Sequence, residues 1–483
     1  MLTTPDTLAQ SIPTREEKDL LGFAKVPLHA LHGVHTQRAV ENFPLSGRPV
    51  HKALTHAFGF VKGAAAKTNQ ALGYWSSHPA KAQAIEAACA EMAQGLLDEQ
   101  MIVDAFQGGA GTSTNMNANE VIANRSLQRM GLPLASYDQV SPLEDINLHQ
   151  STNDAYPTAL KLACVMQLRL LAQATENLQQ AFADKGDEME DIVKIGRTQL
   201  QDAVFITLGH EMRAYAAALA RDVHRMHEVE KKLYEVNLGG TAIGTGITAP
   251  LRYIQQVVET LREMTGIEFH QAEDLVDNTQ NADVFVEVSG VLKTCAVNLI
   301  KISTDLRLMS SGPDGGLAEI ALPAKQAGSS IMPGKVNPVI PEATTQSALR
   351  MIGYDHGITL AASMGNLELN AFLPLVADSL LDGMDLMAHA IRMLQTHCVE
   401  GIVANEQRCH ANIEGSTAIL TALVPQIGYY NAVKIVHQAQ EQGKTIRQAV
   451  LDAGYMDQAA FDDMLSASSV SRLGSPDPVA LAG

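Results

Sequence analysis

A hydroxyl, an ammonium and an amide fall within ten residues of each other in Gly328-Ser-Ser-Ile-Met-Pro-Gly-Lys-Val-Asn337, a glycine-bounded stretch of the kind that carries function on a loop. The Gly-Lys pair invites comparison with a phosphate loop. One residue too many precedes it, and Val336 takes the place of the Ser or Thr that would hold magnesium. Four other segments are dense in short polar side chains: 107–117 with Thr112, 150–154 with Ser151, Thr152 and Asn153, 196–202 with Thr198 and Gln199, and 237–244. Each alone reads as a helix cap or turn, where Ser, Thr, Asn and Asp are favoured. Together they supply neutral hydrogen-bond donors beside one lysine, a set suited to a small dicarboxylate whose charge grows during reaction.

Metal chemistry is not indicated. His210-Glu211 opens like a zinc motif, but Ala214 stands where the second histidine belongs. His29, His32 and His35 recur every third residue around Gly33, with no cysteine or carboxylate to complete a coordination set; a surface loop is expected there.

These residues need elements to position them. Proline is absent between Pro157 and Pro250, and again between Pro250 and Pro313, so the middle of the chain can run as long helices. Leu160, Leu162, Val165, Met166, Leu170, Leu171, Leu178 and Phe182 form one approximate helical stripe. A second runs from Val284 through Val288, Val291, Leu292, Cys295 and Leu299 to Leu306 and is apolar nearly all round, which predicts burial in a bundle or a subunit interface. A further helix is expected from near Glu406, and the tail after Ser466 reads as frayed. Glycine clusters at 107–113, 237–246 and 311–316 interrupt the helical stretches.

The 483 residues are 46% hydrophobic, 18% charged and only 5% aromatic, a globular composition that favours helices over a sandwich or barrel. A net charge of −18 argues against nucleic acid and anionic lipid as partners, while leaving room for a small anion in a local positive pocket. No apolar run long enough for a membrane span and no signal peptide is expected. The five cysteines, Cys89, Cys164, Cys295, Cys398 and Cys409, are odd in number and lack any CxxC, as for free thiols in a reducing cytoplasm.

The motifs GSSIMPGKVNP (Gly328 to Pro338), QGGAGTSTNMNANEVIAN, QSTNDAYPT, KIGRTQLQDA and NLGGTAIGTG stand in an order that resembles the aspartase/fumarase superfamily from about Asp19 to about Asp463. GVHT (Gly33 to Thr36), QSTND and LPAKQAGSS (Leu322 to Ser330) are similar to its aspartase branch. Class II fumarases carry at Gln199 a histidine, paired with a glutamate, to handle the water proton. Glutamine cannot accept that proton, and only Glu342 of that pair is present. The resemblance implies an all-α homotetramer of three helical domains, 1–150, 151–406 and 407–483, with central five-helix bundles forming a twenty-helix core and active sites built by three subunits.

The activity implied is reversible elimination of ammonia from L-aspartate to fumarate, with no organic cofactor. Hydration of fumarate, or a lyase reaction on a modified amino acid, are the alternatives, and a catalytically silent scaffold is the rival outside enzymes. Ser329 is the implied base. Lys335 and Asn337, with Thr198 and Gln199, are implied at the carboxylate that gains charge, and Thr112, Ser151, Thr152 and Asn153 at the other carboxylate and the amino group. Four positions depart from the family's wording: Asp314 in place of the arginine of SGPR, Phe205 in place of proline, His149 in place of a small residue, and Ser363-Met364. The change at Asp314 could be compensation at a subunit contact or mark a preference for another amino acid.

Overall fold

The computed structural model describes residues 13–474, and the fold is all-α with small strands. An antiparallel hairpin, β1 (Thr14–Asp19) and β2 (Gly22–Pro27), leads into α1 (Val34–Asn42), α2 (Lys52–Ala71), α3 (Pro79–Ala93) and α4 (Thr112–Arg129). The long helix α5 (Thr152–Glu188) follows. A second hairpin, β3 (Val193–Thr198) and β4 (Gln201–Thr207), separates it from α6 (Leu208–Glu230). Next come α7 (Leu251–Thr265), α8 (Leu275–Gln280), α9 (Asp283–Met309), α10 (Val339–Ser363) and α11 (Leu373–His397), then α12 (Glu406–Gly415), α13 (Ala418–Ile427), α14 (Tyr429–Gln442), α15 (Ile446–Asp452), α16 (Gln458–Met464) and α17 (Ala467–Val470).

The chain divides into two compact units, residues 13–171, 225–293 and 350–385, and residues 172–224, 294–349 and 386–474, and the division falls within α5, α6, α9, α10 and α11. In the first unit, Arg169 of α5 pairs with Glu230 of α6, Ser289 of α9 donates to Asp355 of α10, Tyr354 of α10 to Asp382 of α11, and Gln167 of α5 to Asp385 of α11. In the second, Phe182 of α5 stacks edge-on against Tyr215 of α6, whose hydroxyl donates to Asp305 of α9. Each of the five long helices thus contacts others of the set within a unit, and no described helix is long and apolar enough to cross a membrane.

The sequence expectations hold for the long helices and need four corrections. The middle of the chain is interrupted by β3–β4; its turn, Gln199-Leu200, lacks the Asn-Gly signal that announces a hairpin. Leu170 of α5 and Val297 of α9 lie in the apolar runs but are exposed; periodicity tells which face is apolar, not what covers it. His29 is exposed as expected, whereas His32 is buried, and burial holds its imidazole below the ordinary histidine range. The tail is not frayed throughout, because Ser466 caps the short α17 by accepting from the Ser469 amide; residues 475–483 lie outside the described residues. All five cysteines are free and buried.

In the second unit a distinct small core joins the β3–β4 hairpin to the C-terminal helices. Ile195 and Phe205 pack with Ile413, Ile419, Leu423, Ile435, Val450 and Phe461. This accounts for Phe205, an apolar side chain where the family uses proline: it fills that core from β4.

Candidate functional site

The nine residues singled out by sequence fall in two groups. Thr112, Ser151, Thr152 and Asn153 lie in the first unit, and Thr198, Gln199, Ser329, Lys335 and Asn337 in the second.

In the first unit, Thr112 opens α4 and is exposed, its hydroxyl donating to the Gly109 carbonyl at 2.8 Å. The helix can start there because Gly111 adopts φ +94°, and a Cβ at that glycine would stand 2.2 Å from the Tyr156 ring. Ser151 caps α5: its hydroxyl accepts from the Asn153 amide at 3.2 Å, while its own amide donates to Asp154 Oδ1 at 2.9 Å. Asp154 is fully buried, and its Oδ2 accepts the amides of Gly239 and Thr241, each at 3.0 Å. One carboxylate thus clasps the 237–246 loop to the start of α5. Burial pushes its pKa up to about 6, against the pull of those three amides. Pro157, inside α5, has no N–H for the carbonyl four residues back; that carbonyl, of Asn153, accepts instead from Asn237 Nδ2 at 3.0 Å, and Asn153 Nδ2 donates to Ala242 O at 2.7 Å.

Behind these caps is a buried polar network. Lys62 of α2 donates to Asn147 Oδ1 and Gln150 Oε1, both at 3.0 Å, and Asn115 Nδ2 bridges Asn147 Oδ1 and Thr152 Oγ1 at 3.1 Å each. Burial lowers the Lys62 ammonium to about 7, offset in part by Asp154. His149, at φ +62°, directs its ring between Tyr74 and Tyr253 at centroid distances of 4.9 and 5.2 Å, and its Nδ1 bonds Asn69 Oδ1 at 2.8 Å. This departure from the family's wording is therefore packed against aromatic rings, immediately before the Ser151 cap.

In the second unit, the 328–337 loop closes on itself. The Gly328 amide donates to Lys335 O at 2.8 Å, and Asn337 Nδ2 donates to Gly328 O at 2.9 Å. A Cβ at Gly328 would lie 2.6 Å from Lys335 O, so the closure needs glycine. Within the loop, Ser329 Oγ accepts the amide N–H groups of Ile331 at 3.2 Å and Met332 at 3.1 Å. Lys335 is exposed, and its ammonium meets no protein partner among the described residues. Thr198 ends β3, and Gln199 sits in the turn at φ 53°. Glu342, in the first turn of α10, has Oε1 3.9 Å from Arg307.

Asp314 is exposed in the 311–318 loop, and Ser363 ends α10 by donating to Leu360 O at 2.8 Å. Glu211 pairs with Lys194 at 2.7 Å, and no cluster of three or more potential ligands among the described residues could hold a metal. Sequence reasoning missed Asp154 and Lys62 as organising residues, since Gly239 and Thr241, and Asn147 and Gln150, lie far from them along the chain.

A family model described as Lyase matches residues 22–353, and one described as Fumarase C C-terminus matches residues 419–471. The chain is similar to the aspartate ammonia-lyase of Pseudomonas canavaninivorans, 49% identical over 93% of this chain and 95% of that protein. It is also similar to the aspartate ammonia-lyase of Bacillus subtilis, 43% identical over 95% and 96%. Among solved structures, a fumarate lyase:delta crystallin from Brucella melitensis bound to cobalt superposes with TM-score 0.90 at 47% identity, covering 98% of this chain and 100% of that one. A class II fumarase from Schistosoma mansoni superposes with TM-score 0.87 at 31% identity, covering 94% and 98%.

Proposed function

The chain belongs to the aspartase/fumarase superfamily of lyases, and from that premise we propose that it eliminates ammonia from L-aspartate, reversibly, to leave fumarate. The observation that carries the chemistry is the pair of amides on Ser329. A serine hydroxyl is a poor base. Two N–H dipoles aimed at Oγ from Ile331 and Met332 favour the oxyanion form.

In this reading Ser329 Oγ takes the proton from the substrate's C3. The electron pair left behind passes into the adjacent carboxylate, giving a dianionic aci-carboxylate. Lys335 and Asn337 hold that group with Thr198 and Gln199, and donors aimed at growing charge contribute about 3 kcal/mol each. Thr112, Ser151, Thr152 and Asn153 hold the other carboxylate and the amino group. When the pair returns, the C–N bond breaks, ammonia departs and the double bond of fumarate forms. No organic cofactor is needed for these steps. Hydration is disfavoured because Gln199 cannot take a proton from water.

Exposed apolar residues on the long helices, Leu170, Val297, Leu349 and Leu360, favour burial of those faces between copies, as in a homotetramer with a twenty-helix core and active sites drawn from three subunits. The C-terminal helices α12 to α16 gather around one small core, which the β3–β4 hairpin joins through Ile195 and Phe205; we read these helices as a small C-terminal domain, 407–483, following an N-terminal domain 1–150 and a central one 151–406. Free buried thiols support a cytoplasmic location.

The test is to incubate the purified protein with L-aspartate and, separately, with malate, following fumarate by its ultraviolet absorbance. Fumarate from aspartate with negligible release from malate is expected; comparable or faster release from malate assigns a fumarase instead.

A further inference from the structure

The turn that carries Gln199 is strained. Gln199 and Leu200 have φ of 53° and 63°, the left-handed pair that a two-residue hairpin requires and that Asn-Gly satisfies best. Neither residue favours that region, and Leu200, 69% exposed, gains little packing in return. Just below the turn the ladder slips, with a register shift between Ile195 and Arg197. Such features persist only where the surroundings over-determine them.

The surroundings here are a line of alternating charges. Arg197, next to Thr198, donates through Nη1 to Glu319 Oε1 at 2.7 Å. Lys194 Nζ lies 3.0 Å from Glu319 Oε2 and 2.7 Å from Glu211 Oε2. The Glu319 side chain is wholly buried, and its backbone is tied down: its N–H donates to Met309 O at 2.8 Å, and its carbonyl accepts from the Asn405 amide at 2.9 Å. Across the hairpin, Arg197 Nε is 3.6 Å from Asp202, which also accepts from Ser416 at 2.9 Å. Glu319 is therefore a fixed carboxylate between two cations of one strand.

We propose that Glu319 is a positioning residue for the elimination, holding β3 through Arg197 and Lys194 so that the strained turn presents Thr198 and Gln199 to the substrate carboxylate. The proposal rests on the functional reading above for what the turn binds. It assigns Glu319 no contact with substrate.

Glu319→Gln keeps the size and removes the charge. Glu319→Asp keeps the charge and withdraws it by one methylene. Leu200→Gly lowers the cost of the left-handed geometry without touching the charges. Each is compared with wild type in KM and kcat for aspartate and in amide hydrogen exchange over residues 193–207. Glu319→Gln is expected to raise KM and lower kcat/KM by about 10- to 100-fold, with faster exchange confined to the hairpin. Glu319→Asp should fall between. Leu200→Gly alone should stay within about twofold of wild type and, added to Glu319→Gln, recover most of the loss.

A Glu319→Gln protein with wild-type kcat/KM and unchanged hairpin exchange overturns the proposal. So does a loss that Leu200→Gly leaves untouched and that accompanies faster exchange throughout the unit, which marks a purely structural role. Should Glu319→Gln fail to fold, Glu319→Asp is judged by the same two readouts. Inactivity of the wild type toward aspartate contradicts the functional reading, not this one, and hairpin exchange in the variants still decides the positioning claim.

Discussion

The amide of Ser151 donates to Oδ1 of Asp154 at 2.9 Å, so the residue that caps α5 is itself fixed by a carboxylate three positions into the helix. Because Oδ2 of the same group takes the amides of Gly239 and Thr241, the cap and the 237–246 loop are held as one piece.

Replacing Asp154 therefore acts on both. Asp154→Ala orphans three amides, and each buried donor left unpaired costs about 1–3 kcal/mol. Asp154→Asn keeps a single acceptor oxygen and should lose less. Thermal midpoints are expected in the order wild type, Asn, Ala, with KM for aspartate rising in the reverse sense. An Asn variant equal to wild type in both quantities would show that the carboxylate is not the clasp.

Lys62 gives a pH dependence of definite sign. The folded protein releases its proton near pH 7, whereas an unfolded lysine keeps its proton to about 10.4. Above pH 7 the unfolded chain thus binds more protons, and stability rises with pH, by at most about 1.4 kcal/mol per unit from this residue. The neutral amine still has two N–H donors for Asn147 and Gln150. Lys161, lowered to about 8 by burial, acts in the same direction. Lys62→Met should flatten the rise of the thermal midpoint between about pH 7 and 8.5; an equally steep rise in the variant would show that Lys62 does not titrate there.

The local geometry of several candidate residues is legible in the sequence: Ser329, Lys335 and Asn337 sit within one short segment, and Thr112 and Ser151 are short polar residues that open and cap helices. Asp154 is not legible as the clasp. Its partners Gly239 and Thr241 lie 85 and 87 residues away, and a hydrogen bond between residues so far apart in sequence leaves no local pattern. Lys62 reads as one polar residue before a run of alanines, and Glu319 as one carboxylate among many. The β3–β4 hairpin is missed for a different reason: its turn carries glutamine and leucine where the geometry favours asparagine and glycine, so the local signal contradicts the structure the tertiary contacts impose.

Gln199→His probes the choice between ammonia and water. Histidine tolerates left-handed backbone better than most residues, so the variant should fold. Aspartate kcat/KM should fall about 10-fold or more as the amide donor is lost, without any gain of malate dehydration, since Glu342 faces Arg307. Malate turnover in this variant approaching that for aspartate would show that Gln199 alone separates the two activities.

Lys335→Met removes the cation of the loop while keeping an apolar stem of similar length. Because the aci-carboxylate carries more charge than the ground state, both binding and kcat should suffer for aspartate, and less for a β-amino monocarboxylate. Equal small losses on the two substrates, measured as kcat/KM, would demote Lys335 to ordering the loop.

The most direct measurement is fumarate release from L-aspartate by wild type and Ser329→Ala side by side, with assembly and thermal midpoint checked on the same samples. Removing a positioned base costs a factor of about 10² to 10⁴, and Ser330 is the only neighbouring hydroxyl within the signature loop. The expected result is a turning-over wild type and a variant slower by that factor with assembly and midpoint unchanged. A variant within a few-fold of wild type contradicts the assignment of Ser329 as the base.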